Sequence, residues 1–278
     1  MSETNASTPA AALAAHLLTR LQPSIQASEG TFVLGLSGLQ GSGKSTLAQA
    51  LAEAAQARDL PTLVLSLDDY YLGRGDRRTL ARKMHPLMIT RGVPGTHDLD
   101  ALIAAIDGIN AISPAQPLIV PRFDKGRDTR LPRSRWRHQS QPPRLLIVEG
   151  WCLGVPAQTE AELDAPINTL EAEEDADGLW RHRVNLRLID YQALWQRFDA
   201  LAVLQAPNWS VVRHWRDEAE QAAREAGAKH AMDTEALARF IAHYERISRQ
   251  ALARLPALAD LIVWLDAGRA PVVTLSRL

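Results

Sequence analysis

The chain has 278 residues, 46% hydrophobic and 23% charged, which excludes wholesale disorder and fits one large domain or two small ones. Its 31 basic against 32 acidic side chains leave a formal charge of -1, so no whole-chain field draws it to nucleic acid or an anionic membrane. The single cysteine, Cys152, excludes an internal disulfide framework and a cysteine-based zinc site, no apolar run approaches the roughly 20 residues of a bilayer span, and the polar, acidic first residues lack the pattern of a secretory signal. A soluble, cytoplasmic protein is expected.

Residues 1–10 read as a disordered tail and 11–21 as a short helix ended near Pro23. The first strand is TFVLGL at 31–36, followed by a glycine-rich turn and a helical run from Lys44 to about Ala57, with Leu47, Leu51 and Ala54 on one face. A second strand at 62–67 completes a strand–helix–strand unit, which predicts a parallel sheet covered by helices. Residues 70–97 read mainly as loop with short helical pieces. Asp98 is placed to cap a helix running to Ile109, and 118–120 is a short strand candidate. Residues 122–144 form a basic, proline-punctuated loop, and LLIVEG at 145–150 is a strand ending in Glu149 and Gly150. The stretch 160–177 carries eight acidic groups and no basic one, the pattern of a solvated insertion or flexible flap. Further on come a helix at 184–198, a strand at 201–204 and a long helix at 208–226. A helix from Asp233 or Thr234 follows, with Leu237, Phe240, Ile241, Tyr244 and Ile247 on its apolar face, then a last buried strand at 261–265. The expected architecture is α/β: residues 1–30 as tail and helix, then one domain over 31–278. It has a doubly wound, mostly parallel sheet of about five strands, with insertions about 70–97 and 122–185.

The segment GLQGSGKS at 38–45 matches G-x-x-x-x-G-K-[ST] in full, with an apolar strand before it and a helix former after it. In this phosphate-binding turn of Gly38, Gly41, Ser42 and Gly43, the glycines let backbone amides curl around an anion. The following helix points its free N–H groups at the same phosphates. Lys44 is expected to reach the β- and γ-phosphates, Ser45 to hold Mg²⁺ through its hydroxyl, and Thr46 to add a phosphate contact. Such a loop specifies a nucleoside triphosphate but not the job done with it. Metabolic kinase, GTPase switch, ATP-driven motor and nucleic-acid enzyme are the candidates. No lysine lies in an N/T-K-x-D guanine-reading segment, the chain is short for a motor, and no basic helix alternates with aromatics as a nucleic-acid platform would.

Two aspartates, Asp68 and Asp69, close the second strand in SLDDYY at 66–71. Ligand chemistry in such sheets lies beyond the carboxyl ends of the strands, so either suits a group that orients an acceptor hydroxyl and takes its proton. Glu149 ends its own strand and suits Mg²⁺, directly or through water.

Seven segments in this order, GLQGSGKST (38–46), SLDDYY (66–71), RGVPGTHD (91–98), PRFDKGRD (121–128), IVEGW (147–151), VNLRLIDYQALWQRFD (184–199) and HWRDEAE (214–220), give the chain a resemblance. It resembles the glycerate kinase family of P-loop kinases, of the plant D-glycerate 3-kinase type. It is more distantly similar to uridine kinase, phosphoribulokinase and bacterial pantothenate kinase. The segment after FDK, the acidic stretch and YERISRQ depart from the family pattern. The resemblance implies a P-loop kinase fold and ATP-dependent phosphorylation of a small anionic hydroxy acid, D-glycerate to 3-phosphoglycerate first. Pantothenate, a nucleoside or another small hydroxylated metabolite is the alternative acceptor, and a non-catalytic ATP-binding regulatory protein the alternative of another class. ATP and Mg²⁺ are the implied cofactors. No nucleic acid or membrane partner is expected, and a homodimer is compatible with the sequence. Residue by residue, the resemblance assigns Asp68 rather than Asp69 as base and Glu149 to the metal. It puts Arg213 and Arg216 on an arginine-bearing lid about 208–230, Arg216 being the closer match. Arg91, His97, Asp98, Arg122, Lys125 and Arg127 are the substrate candidates of its two loops, since a tiny anion needs cations and arginine grips a carboxylate with two donors.

Overall fold

Three uninterrupted apolar runs build the centre of the sheet. The computed structural model describes residues 8–225 and 232–278. In chain order, α1 (Pro9–Ala27), β1 (Phe32–Gly38), α2 (Lys44–Gln56) and β2 (Thr62–Ser66) are followed by α3 (Arg74–Lys83) and α4 (Leu99–Asp107). Four short strands come next: β3 (Leu118–Val120), β4 (Phe123–Asp124), β5 (Thr129–Arg130) and β6 (Arg137–Gln139). The chain returns to the core in β7 (Leu145–Gly150) and leaves through α5 (Glu160–Leu163), α6 (Thr169–Glu174), α7 (Leu179–Asp190) and α8 (Gln192–Trp195). It ends in β8 (Ala200–Gln205), α9 (Ser210–Glu225), α10 (Thr234–Leu258), β9 (Leu261–Leu265) and β10 (Pro271–Ser276).

The main sheet has six strands in the order β10-β9-β8-β1-β7-β2. Every residue of β1, β7 and β8 is buried, as expected of parallel strands covered on both faces. β1 pairs with β7 from Phe32 opposite Leu145 to Ser37 opposite Gly150, and with β8 on its other side. The chain runs outward from β1 to β2 on one side and returns to β8 on the other, so β1 is the switch point where such sheets open a crevice for ligands. The phosphate-binding turn leaves β1 at that edge.

The expected five parallel strands form, and the sheet gains an edge. β10 adds antiparallel to β9; half exposed and split by a register shift, it carries little apolar signal. The 118–120 strand forms but pairs with β6 in a separate two-stranded sheet. Residues 1–7 of the expected tail lie outside the described residues, while Pro9 and Ala10 already belong to α1. That helix does not stop near Pro23; it runs on to Ala27. An interior proline costs about 3 kcal/mol. Burying Leu21 and Ile25 on either side of it returns about 1.5–3 kcal/mol each, enough to carry the helix through. Residues 70–97 hold a ten-residue helix, α3, where mainly loop was expected. The expected insertion at 122–185 has the core strand β7 inside it.

The acidic stretch is the clearest correction. Six of its eight acidic groups are exposed, as a solvated insertion would have them, but two are buried and anchor it to the core. Glu171 is fully buried and takes two hydrogen bonds from Arg246 of α10, at 2.8 and 2.6 Å. Arg246 spends its remaining donors on the carbonyls of Glu162 and Ala165. Asp175 accepts from the backbone N–H groups of Trp180 and Arg181 and pairs with the Arg181 side chain at 3.0 Å. The partners of these carboxylates lie up to 75 residues away in the chain, so charge counting within the stretch misses them. Removing one member of a buried pair strands the other charge. Glu171→Ala is therefore expected to lower unfolding free energy by about 3–5 kcal/mol in denaturant titration. A loss under about 1 kcal/mol, the scale of exposed pairs, would restore the flap.

Candidate active site

The turn after β1 has the backbone shape that its glycines allow. Gly41 and Gly43 sit at φ 82° and 86°, in the left-handed region. A Cβ on Gly41 would come within 2.6 Å of the Trp215 Cβ, whereas one on Gly43 would meet nothing within 4 Å. The turn is thus packed against α9 on one side and open on the other. Gly43 is the N-cap of α2 and offers no side chain to the first N–H groups of that helix, which makes them available to an anion. Ser42 Oγ and both polar atoms of the Gln40 amide are buried without a hydrogen-bond partner. Buried polar atoms are rarely left so; the turn is built to receive polar groups from outside.

The two aspartates of SLDDYY part ways. Asp69 accepts a hydrogen bond from the Phe123 amide at 3.0 Å and so anchors the β4–β5 hairpin. Burial pushes its carboxyl up. Asp68 points to the crevice, with Tyr71 OH donating to its Oδ1 at 2.6 Å and Lys125 Nζ at 2.6 Å from its Oδ2. Burial alone would raise the Asp68 carboxyl. The charges of Lys125 and Lys44 and the hydrogen bonds from Lys125 and Tyr71 outweigh it and hold the group well below the usual carboxylate range. Glu149 is buried at the end of β7, where it accepts from the Ser66 hydroxyl and has no cationic side chain paired with it among the described residues.

Two cavities meet at Asp68. The first is an open cleft of about 510 Å³ over the turn, bounded by residues 43–46, Gln40, Gly41, Trp215 and Arg269. The second is a chamber of about 70 Å³ walled by Tyr71, Trp151, Phe240 and Tyr244, with Arg91 in its lining. Gln40, Lys44, Asp68, Lys125 and Arg216 line both. A third hollow of about 400 Å³ flanks the turn on its far side, between the start of α1 (Pro9, Ala10, Leu13), Thr46 and Leu47 of α2, and Leu265 and Pro271.

The segment RGVPGTHD delivers one side chain to this site. Arg91 lines the chamber, pairs with Asp128 at 2.6 Å and lies over the Phe123 ring. Its backbone carbonyl accepts from Tyr244 OH, and the carbonyl of Gly92 accepts from Trp151 Nε1. Gly92, at φ 115°, has no room for a Cβ beside the Tyr244 ring. His97, expected as a substrate residue, is instead a buried support. Its ring stacks at 4.9 Å on Tyr71, its Nδ1 hydrogen-bonds the Tyr191 hydroxyl at 2.6 Å, and burial lowers its pKa to about 4, so it is neutral. Asp98 caps α4 and pairs with Arg130, away from both cavities. Arg122 and Arg127 are exposed and line neither cavity, Arg127 leaning on Asp124. Arg213 is likewise exposed, near Asp217, while Arg216 three residues on faces the junction and is held by Glu220 at 2.7 Å. Arg213 lines neither cavity. Residues 226–230 of the expected lid lie outside the described residues. Glu149 and Gly38 sit at the strand ends beside the cleft and are not among its lining residues.

Sequence reasoning passed over Tyr71, although it stands inside SLDDYY, and Gln40, although it lies inside the turn. Trp151 and Tyr244 were assigned only to a motif and an apolar helix face. Arg269 had no signal at all. It sits at φ 69° in the β9–β10 turn, donates to the Gly41 carbonyl at 2.7 Å, and lies over the Trp215 ring.

The Asp68 environment can be read by titration. The carboxyl is ionised at neutral pH because its lowering contacts outweigh burial. Lys125→Met removes the largest of those contacts, so burial gains weight and the midpoint moves to higher pH. Carboxyl-selective NMR of the two proteins is expected to show that rise. An unmoved midpoint would mean that Lys125 does not set it.

No protein-family model matches the chain. It is 32% identical over 221 residues to the uncharacterized kinase mug58 of Schizosaccharomyces pombe, a match covering 77% of this chain and 78% of that protein. It is 28% identical over 260 residues to the chloroplastic D-glycerate 3-kinase of Arabidopsis thaliana, covering 87% of this chain and about half, 54%, of the plant protein. The solved structure of D-glycerate 3-kinase from Cryptococcus neoformans var. grubii has the same fold. Its TM-score is 0.79 at 23% identity, with 96% of this chain and 98% of that one covered. Among the described residues, no helix is long and apolar enough to cross a membrane. With relatives at this identity and coverage, this fold and this phosphate-binding turn, the chain belongs to the P-loop glycerate kinase family and is an ATP-dependent kinase.

Proposed function

We propose that the protein transfers the γ-phosphoryl group of ATP to a hydroxyl of D-glycerate, giving 3-phosphoglycerate. One observation carries the reading: the open cleft over the turn and the small cationic chamber share Asp68, Lys44, Lys125 and Arg216. A donor phosphate in one and an acceptor hydroxyl in the other would meet at a carboxylate. The chamber, at about 70 Å³, suits a metabolite of a few heavy atoms. It falls far short of the roughly 300 Å³ at which pockets for larger ligands begin, which disfavours pantothenate or a nucleoside. Its cations, Arg91 and Lys125, suit a carboxylate. The names of the plant and fungal relatives agree.

In this reading the triphosphate lies on residues 38–46, with the amides of the turn and of the first turn of α2 on its oxygens. The hollow beside α1 is apolar enough on its Leu13, Leu47 and Leu265 side to take the base. The acceptor oxygen attacks the γ-phosphorus as the bond to the β–γ bridging oxygen breaks. The hydroxyl proton goes to Asp68, and the electron pair of the broken bond leaves with ADP. Lys44 and Arg216 face the negative charge that gathers on the transferred group. Mg²⁺ would be held by the Ser45 hydroxyl and, directly or through water, by the buried carboxylate of Glu149, which accepts from the Ser66 hydroxyl, and it would neutralise charge on the phosphate oxygens. Trp151, Phe240 and Tyr244 keep water from the chamber. Within the proposed single domain of 31–278, α9 acts as the arginine-bearing lid.

Purified protein with Mg-ATP is expected to release ADP in step with D-glycerate, and NMR of the product to place the phosphate on the 3-hydroxyl. Asp68→Asn, which keeps the shape and loses the base, is expected to lower kcat by about 10²- to 10⁴-fold. ADP release that ignores D-glycerate, or an Asp68→Asn enzyme with unchanged kcat, would refute the reading.

A further inference from the structure

Both oxygens of Asp68 are engaged. Tyr71 OH holds Oδ1 at 2.6 Å, and Lys125 Nζ lies 2.6 Å from Oδ2. The two contacts differ in kind. Tyr71 is buried and fixed, its ring stacked on His97 and edge-on to Phe123. Lys125 is on the β4–β5 turn with 61% of its side chain exposed, and Asp68 is its sole ion-pair partner among the described residues. The other cations of the junction are committed elsewhere. Arg91 is paired with Asp128 and Arg216 with Glu220, both at 2.7 Å or less, and Lys44 belongs to the phosphate turn. One cation of the chamber therefore has no carboxylate of its own except the proposed base.

We propose that Lys125 is an exchangeable cation that selects acidic acceptors: it masks Asp68 while the chamber is empty, and moves to the carboxylate of an incoming acid, leaving one Asp68 oxygen for that acid's hydroxyl. This inference rests on the small-hydroxy-acid reading above and says how the site recognises that class. The backbone under Lys125 need not move. The hairpin is pinned by the Asp69 bond to the Phe123 amide and by Asp128, which holds Arg77 and Arg91. Only the flexible lysine stem changes direction, its side chain being 61% exposed beside the more buried Asp68. Water or a neutral polyol brings no carboxylate to draw Lys125 away, so Asp68 stays occupied and ATP is spared.

The test compares wild type, Lys125→Met and Lys125→Arg with Mg-ATP alone, with D-glycerate and with glycerol, its uncharged counterpart. Wild type is expected to hydrolyse ATP slowly without an acceptor and to prefer D-glycerate strongly. Lys125→Met is expected to raise KM for D-glycerate and cut its preference over glycerol by about 10- to 100-fold, the worth of one charged hydrogen bond. Its acceptor-independent hydrolysis rises. Lys125→Arg, which keeps the cation, restores most of the preference. Lys125→Met with unchanged acceptor-independent hydrolysis overturns the masking, and an unchanged glycerate-to-glycerol ratio overturns the exchange. A wild-type enzyme that phosphorylates neither compound, nor any other small hydroxy acid, refutes the proposed function itself. The hydrolysis comparison, which needs no acceptor, then still decides whether Lys125 masks Asp68.

Discussion

The contact on which the rest of the site depends is the hold of Tyr71 and Lys125 on the Asp68 carboxylate at the end of β2. A carboxylate facing a triphosphate is repelled by it, and one facing packed protein is costly to ionise. Asp68 avoids both. The cations at Lys44 and Lys125 keep it ionised against burial, and the tyrosine hydroxyl fixes its direction. The two cavities, one open and one of about 70 Å³, are joined through this group.

Much of the remaining structure keeps that junction rigid. β1 and β7, buried along their whole length, put the phosphate turn and Glu149 side by side. Asp69, next to Asp68, spends its carboxylate on the hairpin that carries Lys125. Arg77, only 1% exposed, gathers the carbonyls of Leu72 and Ile89 and the carboxylate of Asp128 into one knot beneath Arg91. On the far side Trp215 fills the space over Gly41, and Arg269 ties the turn to α9. The clamp of Glu171 and Arg246 braces α10, which supplies Phe240 and Tyr244 to the chamber wall.

What could be read from the sequence followed from local rules. The glycine turn between strand and helix announces itself because backbone shape and residue type are linked over eight neighbouring positions. The buried strands announce themselves as apolar runs. Asp68 and Asp69, adjacent and alike, could be separated only by resemblance, because their difference lies in Lys125 and Phe123, more than fifty residues on. The loops 91–98 and 122–127 offered several cations and a histidine of equal standing. The fold brings Arg91 and Lys125 to the chamber and turns Arg122 and Arg127 to solvent. It uses His97 and Asp98 as a stacking partner and a helix cap. The acidic stretch misled for the same reason, since its neutralising arginines, Arg181 and Arg246, lie beyond it. Arg269 and the edge strand β10 carry no local pattern at all.

The central claim is that donor and acceptor meet at Asp68. A crystal structure with a non-hydrolysable ATP analogue, Mg²⁺ and D-glycerate tests it most directly. The account predicts the triphosphate on residues 38–46 and the acid in the chamber of Trp151 and Tyr244, with its carboxylate on Arg91 and Lys125 and its hydroxyl on Asp68. An acid bound outside that chamber, or a terminal phosphate out of reach of the Asp68 carboxylate, would contradict it.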